Sequence, residues 1–282
     1  MVLYLPTPTW RGCRVRLAVQ EQLLPGDTMQ AKWDAALAWG FDAIELRGAG
    51  GHALRGRLPE LRAAQRDGVV MPTVCVDMDH FIGDFDPGRR ADAIANMATQ
   101  LAVVAELGGV GAMTPASWGM FSRRLPPFTP PRTVEGDRAV LLDALGRLGE
   151  IAAREGVLLL LEPLNRYEDH MVNTLAQAAE LARATGLASV QVGADTYHMN
   201  IEEADPPAAL RAVADRLGHV QVSDTNRLEP GAGHLDWPAL LRTLDAIGYG
   251  GHLAFECRLS GDPARVLPRA AALLRSALRA AA

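Results

Sequence analysis

Four aliphatic segments of this 282-residue chain run into side chains that carry oxygen: VLLLLE ends on Glu162, VQVGAD ends on Asp195, HVQVSD carries Gln221 and HLAFEC carries Glu256. A carboxylate that closes a run of buried aliphatic residues is costly unless something neutralises it. Taken singly, each has an ordinary explanation, because junctions between strands and loops favour polar side chains. Gathered at one place, three carboxylates repel one another, and a divalent cation relieves that repulsion. Two glutamates, an aspartate and an amide carbonyl form a hard, all-oxygen set. Such a set suits one Mn2+ or Mg2+, with Co2+ as a substitute, better than Zn2+. The chemistry open to it is proton abstraction beside a carbonyl. A cation that takes the carbonyl and hydroxyl oxygens of a hydroxy-ketone acidifies the α-proton and steadies an enediolate, with Glu162 and Glu256 as base and acid. Return of the proton to the other face is epimerisation. Return to the neighbouring carbon is ketol isomerisation, and loss of a β-hydroxyl is dehydration.

These side chains can meet only if their segments are neighbouring strands. Four more strand-like runs precede them: CRVRLAV from Cys13, FDAIELR from Phe41, PTVCVDM from Pro72 and GVGAM from Gly109. Amphipathic helical patterns lie between, such as RADAIANMATQLAVVAELGG, VLLDALGRLGEIAAREG and PAALRAVADRLG, several of them closed by glycine. A continuous run such as VLLLL suits a strand buried on both faces of a parallel sheet. Eight βα units in a chain slightly longer than the ~250 residues typical of the fold predict an α/β protein, a (β/α)8 TIM barrel forming one domain over residues 1–282. A doubly wound open sheet competes, but no GxGxxG follows the first strand. In a barrel, chemistry belongs at the C-terminal strand ends, where Glu162, Asp195, Gln221 and Glu256 fall. His219 lies two residues before Gln221 on the same strand face, about 6 to 7 Å deeper, and reads as a packed interior histidine. The long loop PASWGMFSRRLPPFTPPRT, residues 115–133, is either a lid or a surface excursion.

The segments EPLNRYE from Glu162, ADTYHMNIEE from Ala194, SDTNRLEPGAGHLDW from Ser223 and FEC from Phe255 resemble the xylose-isomerase-like sugar isomerase and epimerase superfamily. Within it they are most similar to ketose 3-epimerases of the D-tagatose 3-epimerase kind and to keto-sugar-acid epimerases. The resemblance spans residues 157–258; residues 1–156 share only the βα rhythm. It implies a xylose isomerase-like barrel and an isomerase acting on a small ketose or keto-sugar acid. The implied metal ligands are Glu162, Asp195, Gln221 and Glu256. In the 3-epimerases the third of these is a histidine, whereas Gln221 resembles the glutamine of the hydroxypyruvate-isomerase group. A ketol isomerase, or a lyase or dehydratase of a polyhydroxylated keto substrate, therefore stays open. The resemblance further implies substrate contacts for His198, in the loop leaving the sixth strand, and for Arg227 and Glu168. Trp118 and His80, in the loops after the fourth and third strands, are candidates for the pocket wall, set against packing or exposure. A homo-oligomer is expected on the same ground.

Charge and composition remove other classes. A net charge of −5 and a pI near 5.8 leave no basic footprint for nucleic acid. An endonuclease for abasic DNA, which shares the barrel ancestry, would need a histidine-rich multinuclear site and a positive face; the chain has 7 histidines, few of them at strand ends. A non-catalytic sugar-binding barrel remains as the alternative to an enzyme. The N-terminal MVLYLPTPTWRG lacks a basic start and a sustained apolar core, and no segment reaches the ~18 apolar residues of a membrane span, so a cytoplasmic protein is expected. Cys13, Cys75 and Cys257 are odd in number and widely spaced, which reads as reduced, buried thiols.

Overall fold

The aliphatic runs become the staves of a closed barrel. The computed structural model describes residues 15–123 and 126–281, so Cys13 lies outside the described residues. Eight parallel strands close in chain order: β1 Arg16–Gln20, β2 Ala43–Ala49, β3 Thr73–Asp77, β4 Gly111–Pro115, β5 Leu158–Glu162, β6 Val190–Asp195, β7 Leu217–Val222 and β8 His252–Phe255. This is the barrel that the βα rhythm predicts. Among the described residues, no helix is long and apolar enough to cross a membrane.

Alternation along each strand divides its side chains between two cores. In β5, Leu159 and Leu161 join the large core shared with the helices, while Leu158 and Leu160 turn inward against Met113 of β4. Each buried leucine contributes roughly 1.5–3 kcal/mol relative to exposure. Gly193 of β6 leaves room for this inner cluster, since a Cβ there would lie 2.2 Å from the Met113 sulfur. The other side of the interior is polar: Gln20, Glu45, Thr73, His219 and Gln221 are all buried. One register irregularity separates the two regions. Val192 pairs with Leu217 but Gly193 pairs with His219, so Gly218 is an extra residue in β7. The bulge sets the phase of the strand, turning His219 and Gln221 inward.

The helices start on capping side chains. Thr28, Asp86, Thr133, Asp205 and Asp236 each accept from a backbone N–H in the first turn, and Thr174 forms a capping box with Gln177. The pattern PAALRAVADRLG yields only the short helix Pro206–Ala212, because β7 begins at Leu217, earlier than the run from His219 suggests.

The loop after β7 is pinned by Asp224, which is fully buried. It accepts from the backbone N–H groups of Thr225, Gly231 and Leu235 and from the Trp237 indole, at 2.8 to 3.1 Å. Burial opposes its ionisation, but these donors outweigh it and hold the carboxyl below its ordinary value. Asp224→Ala is expected to cost about 2–4 kcal/mol at neutral pH, since several buried donors lose their acceptor. The depressed folded-state pKa makes this contribution complete above the unfolded value of about 3.9 and lost as pH falls through the folded one. Urea unfolding of both proteins should therefore show a gap at neutral pH that narrows in acid. A neutral-pH gap below about 1 kcal/mol would overturn this account of the loop.

Candidate active site

Strands β5 to β8 deliver their terminal side chains to one mouth. Glu162 ends β5, Asp195 ends β6, Gln221 is the penultimate residue of β7, and Glu256 follows β8 directly. A cavity of about 290 Å³ opens there, lined by Glu162, Glu168, His198, Arg227, Glu256 and Trp118 on one side and by Cys75, Asp77, Met78 and Phe81 on the other. Asp195 and Gln221 are buried and are not among the residues that line it. In the ring of eight strands, β5 and β8 stand three places apart, so Glu162 and Glu256 enter the cavity from different sides.

Asp195 has two jobs. Its Oδ1 caps the helix Thr196–Glu202, accepting from the N–H groups of Tyr197 at 2.7 Å and His198 at 3.2 Å. Its Oδ2 accepts from Arg227 Nη1 at 2.7 Å. The cap corrects the expectation that His198 lies in a loop: it sits in the first turn of that helix, 2% exposed. His198 Nδ1 lies 3.0 Å from the Asn165 backbone N–H, a fixed donor, and 2.9 Å from Asn165 Nδ2. Nδ1 is thus the acceptor and Nε2 carries the proton, aimed at Glu162 Oε1 3.8 Å away. Burial pushes the imidazole pKa down, which keeps it neutral.

Glu162, Asp195 and His198 bring ligand atoms within 4.8 Å of one another, a spacing that could hold a metal ion. The His198 tautomer argues against its part in such a set. A neutral imidazole whose Nδ1 accepts from a backbone amide has no lone pair on Nε2 to offer. The carboxylates are a different matter. Burial, and then the charges of Glu256 and Asp195, raise Glu162 well above the usual carboxylate range. Burial likewise brings Glu256 to about 8 against the pull of Arg227. Burial also works against Asp195, but Arg227 beside it prevails and lowers its pKa.

Arg227 adopts a left-handed backbone, φ 62°, a conformation that costs a non-glycine residue about 1–3 kcal/mol. It is locked by backbone hydrogen bonds to Asp224 and Arg258. Its guanidinium spans Asp195 and Glu256, the latter at 3.1 Å, and lies 4.9 Å from the centre of the Tyr197 ring. Trp118, 57% exposed, donates from its indole to Glu168 Oε2 at 3.1 Å, and Asn165 Nδ2 donates to Glu168 Oε1 at 2.8 Å. Gly119 N–H also donates to the Glu168 carbonyl, tying the loop after β4 to the loop after β5. His80 is placed elsewhere: it pairs with Asp92 at 2.8 Å and is not among the cavity-lining residues.

Two residues of this constellation were not singled out from sequence. Asn165, in EPLNRYE, fixes the His198 tautomer. Glu45 lies in the middle of β2, fully buried, and binds Gln221 and His219. A glutamate in mid-strand was its only signal.

Comparison with known proteins identifies the fold family. The family described as xylose isomerase-like TIM barrel matches residues 33–277. The chain belongs to that family. The family relative 3-dehydro-D-guloside 4-epimerase of Escherichia coli K12 is 40% identical over 93% of this chain and 100% of its own length. A D-psicose 3-epimerase of Enterocloster bolteae is 38% identical over 49% of this chain and 46% of its own. Among solved family structures, the apo form of an E. coli 3-keto-D-glucoside 4-epimerase superposes with a TM-score of 0.89 at 40% identity, covering 93% of this chain and 100% of that one. An L-ribulose 3-epimerase follows with a TM-score of 0.79 at 26% identity, covering 95% of each chain. These relatives are epimerases, enzymes of the isomerase class.

Proposed function

We propose that this chain epimerises a neutral keto-sugar at the carbon beside its ketone, and most closely a 3-keto-glycoside at C4, using one divalent cation held by Glu162, Asp195, Gln221 and Glu256. The carrying observation is the convergence of these four oxygen-bearing side chains in a fold whose full-length relative is a 3-dehydro-D-guloside 4-epimerase. The donors fit a cation. By themselves Glu162 and Glu256 are driven to retain protons, and Gln221 Oε1 is buried with no hydrogen-bond donor. An all-oxygen set favours Mn2+ or Mg2+. When bound, the cation draws electron density from the substrate carbonyl and so acidifies the adjacent C–H.

The chain's own groups supply the rest. Of the two glutamates, one takes the proton from one face of the reacting carbon and the other returns it to the opposite face, through a planar enediolate. His198 donates from Nε2 to the oxygen on which negative charge develops. Glu168, held by Trp118 and Asn165, accepts from a sugar hydroxyl. Phe81, Met78 and Pro115 exclude water from the same cavity. The charge of the lining favours a neutral sugar over a sugar acid: Asp77, Glu162, Glu168 and Glu256 line the cavity, and Arg227 is already shared between two carboxylates.

Incubation in D2O with Mn2+ and a panel of 3-keto-glycosides, ketoses and keto-sugar acids tests this reading. One deuteron is expected at the inverted carbon beside the ketone of a neutral sugar. Deuterium at the former carbonyl carbon would indicate ketol isomerisation instead, and turnover of acids alone would overturn the neutral-sugar assignment.

A further inference from the structure

Glu45 is the most heavily bonded side chain in the barrel interior. Its Oε1 accepts from Thr73 Oγ1 at 2.8 Å and meets His219 Nε2 at 2.7 Å, and its Oε2 accepts from Gln20 Nε2 at 3.0 Å and Gln221 Nε2 at 2.8 Å. All five residues are at most 4% exposed. A carboxylate surrounded by donors is an acceptor only, so the amide of Gln221 has one permitted orientation towards it: NH2 to Glu45, oxygen away. The oxygen then has no hydrogen-bond donor although it is buried, a state that costs about 1–3 kcal/mol unless a ligand takes it. The thiol of Cys75, which lines the cavity, lies 3.9 Å from Glu256 Oε1.

We infer that Glu45 is a positioning residue: by accepting from the Gln221 amide it fixes that side chain with its carbonyl oxygen facing the cation site, so that an amide serves there as an oxygen ligand. The inference rests on the reading of Gln221 as a ligand in the proposed function. It also explains the polar side of the barrel interior. His219, Thr73 and Gln20 satisfy the remaining lone pairs of Glu45, so that the carboxylate can stay buried and charged at the place where the amide needs it.

The test reads Mn2+ affinity, measured as the loss of the free-ion electron paramagnetic resonance signal, together with the cation-free melting profile. In Glu45→Gln the new amide can donate to Gln221 Oε1, which lets the carboxamide turn its NH2 towards the site. Mn2+ binding is expected to weaken about 10- to 100-fold, as is usual for partners that orient a ligand, with the cation-free fold retained. The exchanged pair Glu45→Gln/Gln221→Glu restores a donor facing a carboxylate and should recover most of the affinity. Equal affinity in Glu45→Gln and the unsubstituted protein would overturn the inference, as would a folded exchanged pair that fails to bind. Absence of Mn2+ binding by the unsubstituted protein would instead overturn the cation site itself. If the single variant does not fold, the unsubstituted protein still decides. With Mg2+ bound, the Gln221 NH2 protons should stay protected from exchange in nitrogen-15 spectra, and free exchange would refute the bond to Glu45.

Discussion

Stripping the protein of divalent cations is expected to abolish turnover and lower the melting temperature, and Mn2+ is expected to restore both. The reason lies in the charge of the site. Glu162, Asp195 and Glu256 meet where little water reaches, and burial together with their mutual repulsion raises both glutamates. Arg227 compensates only in part, through Asp195 and Glu256. A cation that binds only the folded chain stabilises it by about 2.7 kcal/mol at a hundredfold excess over its Kd, which is worth several degrees in a chain of this size. Activity should follow the same titration as stability, because in the proposed mechanism the cation would acidify the substrate. A sample verified as cation-free that turns over at the full rate would remove the metal from the mechanism.

The second large effect concerns the two glutamates separately. Glu162→Gln and Glu256→Gln each keep an oxygen that can hold a cation but lose the group that moves a proton. General acid–base catalysis contributes about 10²- to 10⁴-fold in rate, so kcat should fall by that order in both while Mn2+ is still bound. The variants should differ in what survives. In the proposed mechanism, with β5 and β8 three places apart, each glutamate would serve one face of the reacting carbon. A variant that retains the base for one face can still exchange that epimer's proton with solvent while failing to invert the centre. Deuterium incorporation into unreacted substrate, read by NMR, measures this. If both variants bind Mn2+ and invert at close to the original rate, the proton is carried by another group, and His198, with Nε2–H directed at Glu162, becomes the first to examine.

What could be read in advance follows from how locally each feature is encoded. The strand VLLLLE declares itself because both faces are aliphatic, and its terminal Glu162 stands out against them. Asp195 and Glu256 are legible for the same reason, and their meeting follows from barrel closure. Glu45 was not. In FDAIELR, Ala43, Glu45 and Arg47 alternate with Ile44 and Leu46, the pattern of a strand with one face in water. Only closure turns that face inward, and only then does the carboxylate acquire four donors from three other strands. His198 was placed in a loop because seven residues of helix, Thr196–Glu202, are too short to show a period. Its proton position depends on Asn165, which is distant in the chain and adjacent only in the fold.

The extra residue at Gly218 also constrains how relatives of this protein can diverge. Side chains on a strand alternate with a period of two, so pairing Gly218 regularly with Gly193, without the bulge, would exchange the two faces of β7. His219 and Gln221 would then point into the aliphatic shell beneath the helices, while Val220 and Val222 would point at Glu45 and the sugar. No single substitution repairs that exchange. Lengthening the loops that follow β3, β4 or β5, in contrast, leaves the phase of every strand untouched, because loops tolerate insertion and carry the walls of the pocket. New substrates are therefore reached in this fold by growth and replacement at the mouth. The phase of β7 beyond Gly218 is inherited as a fixed quantity.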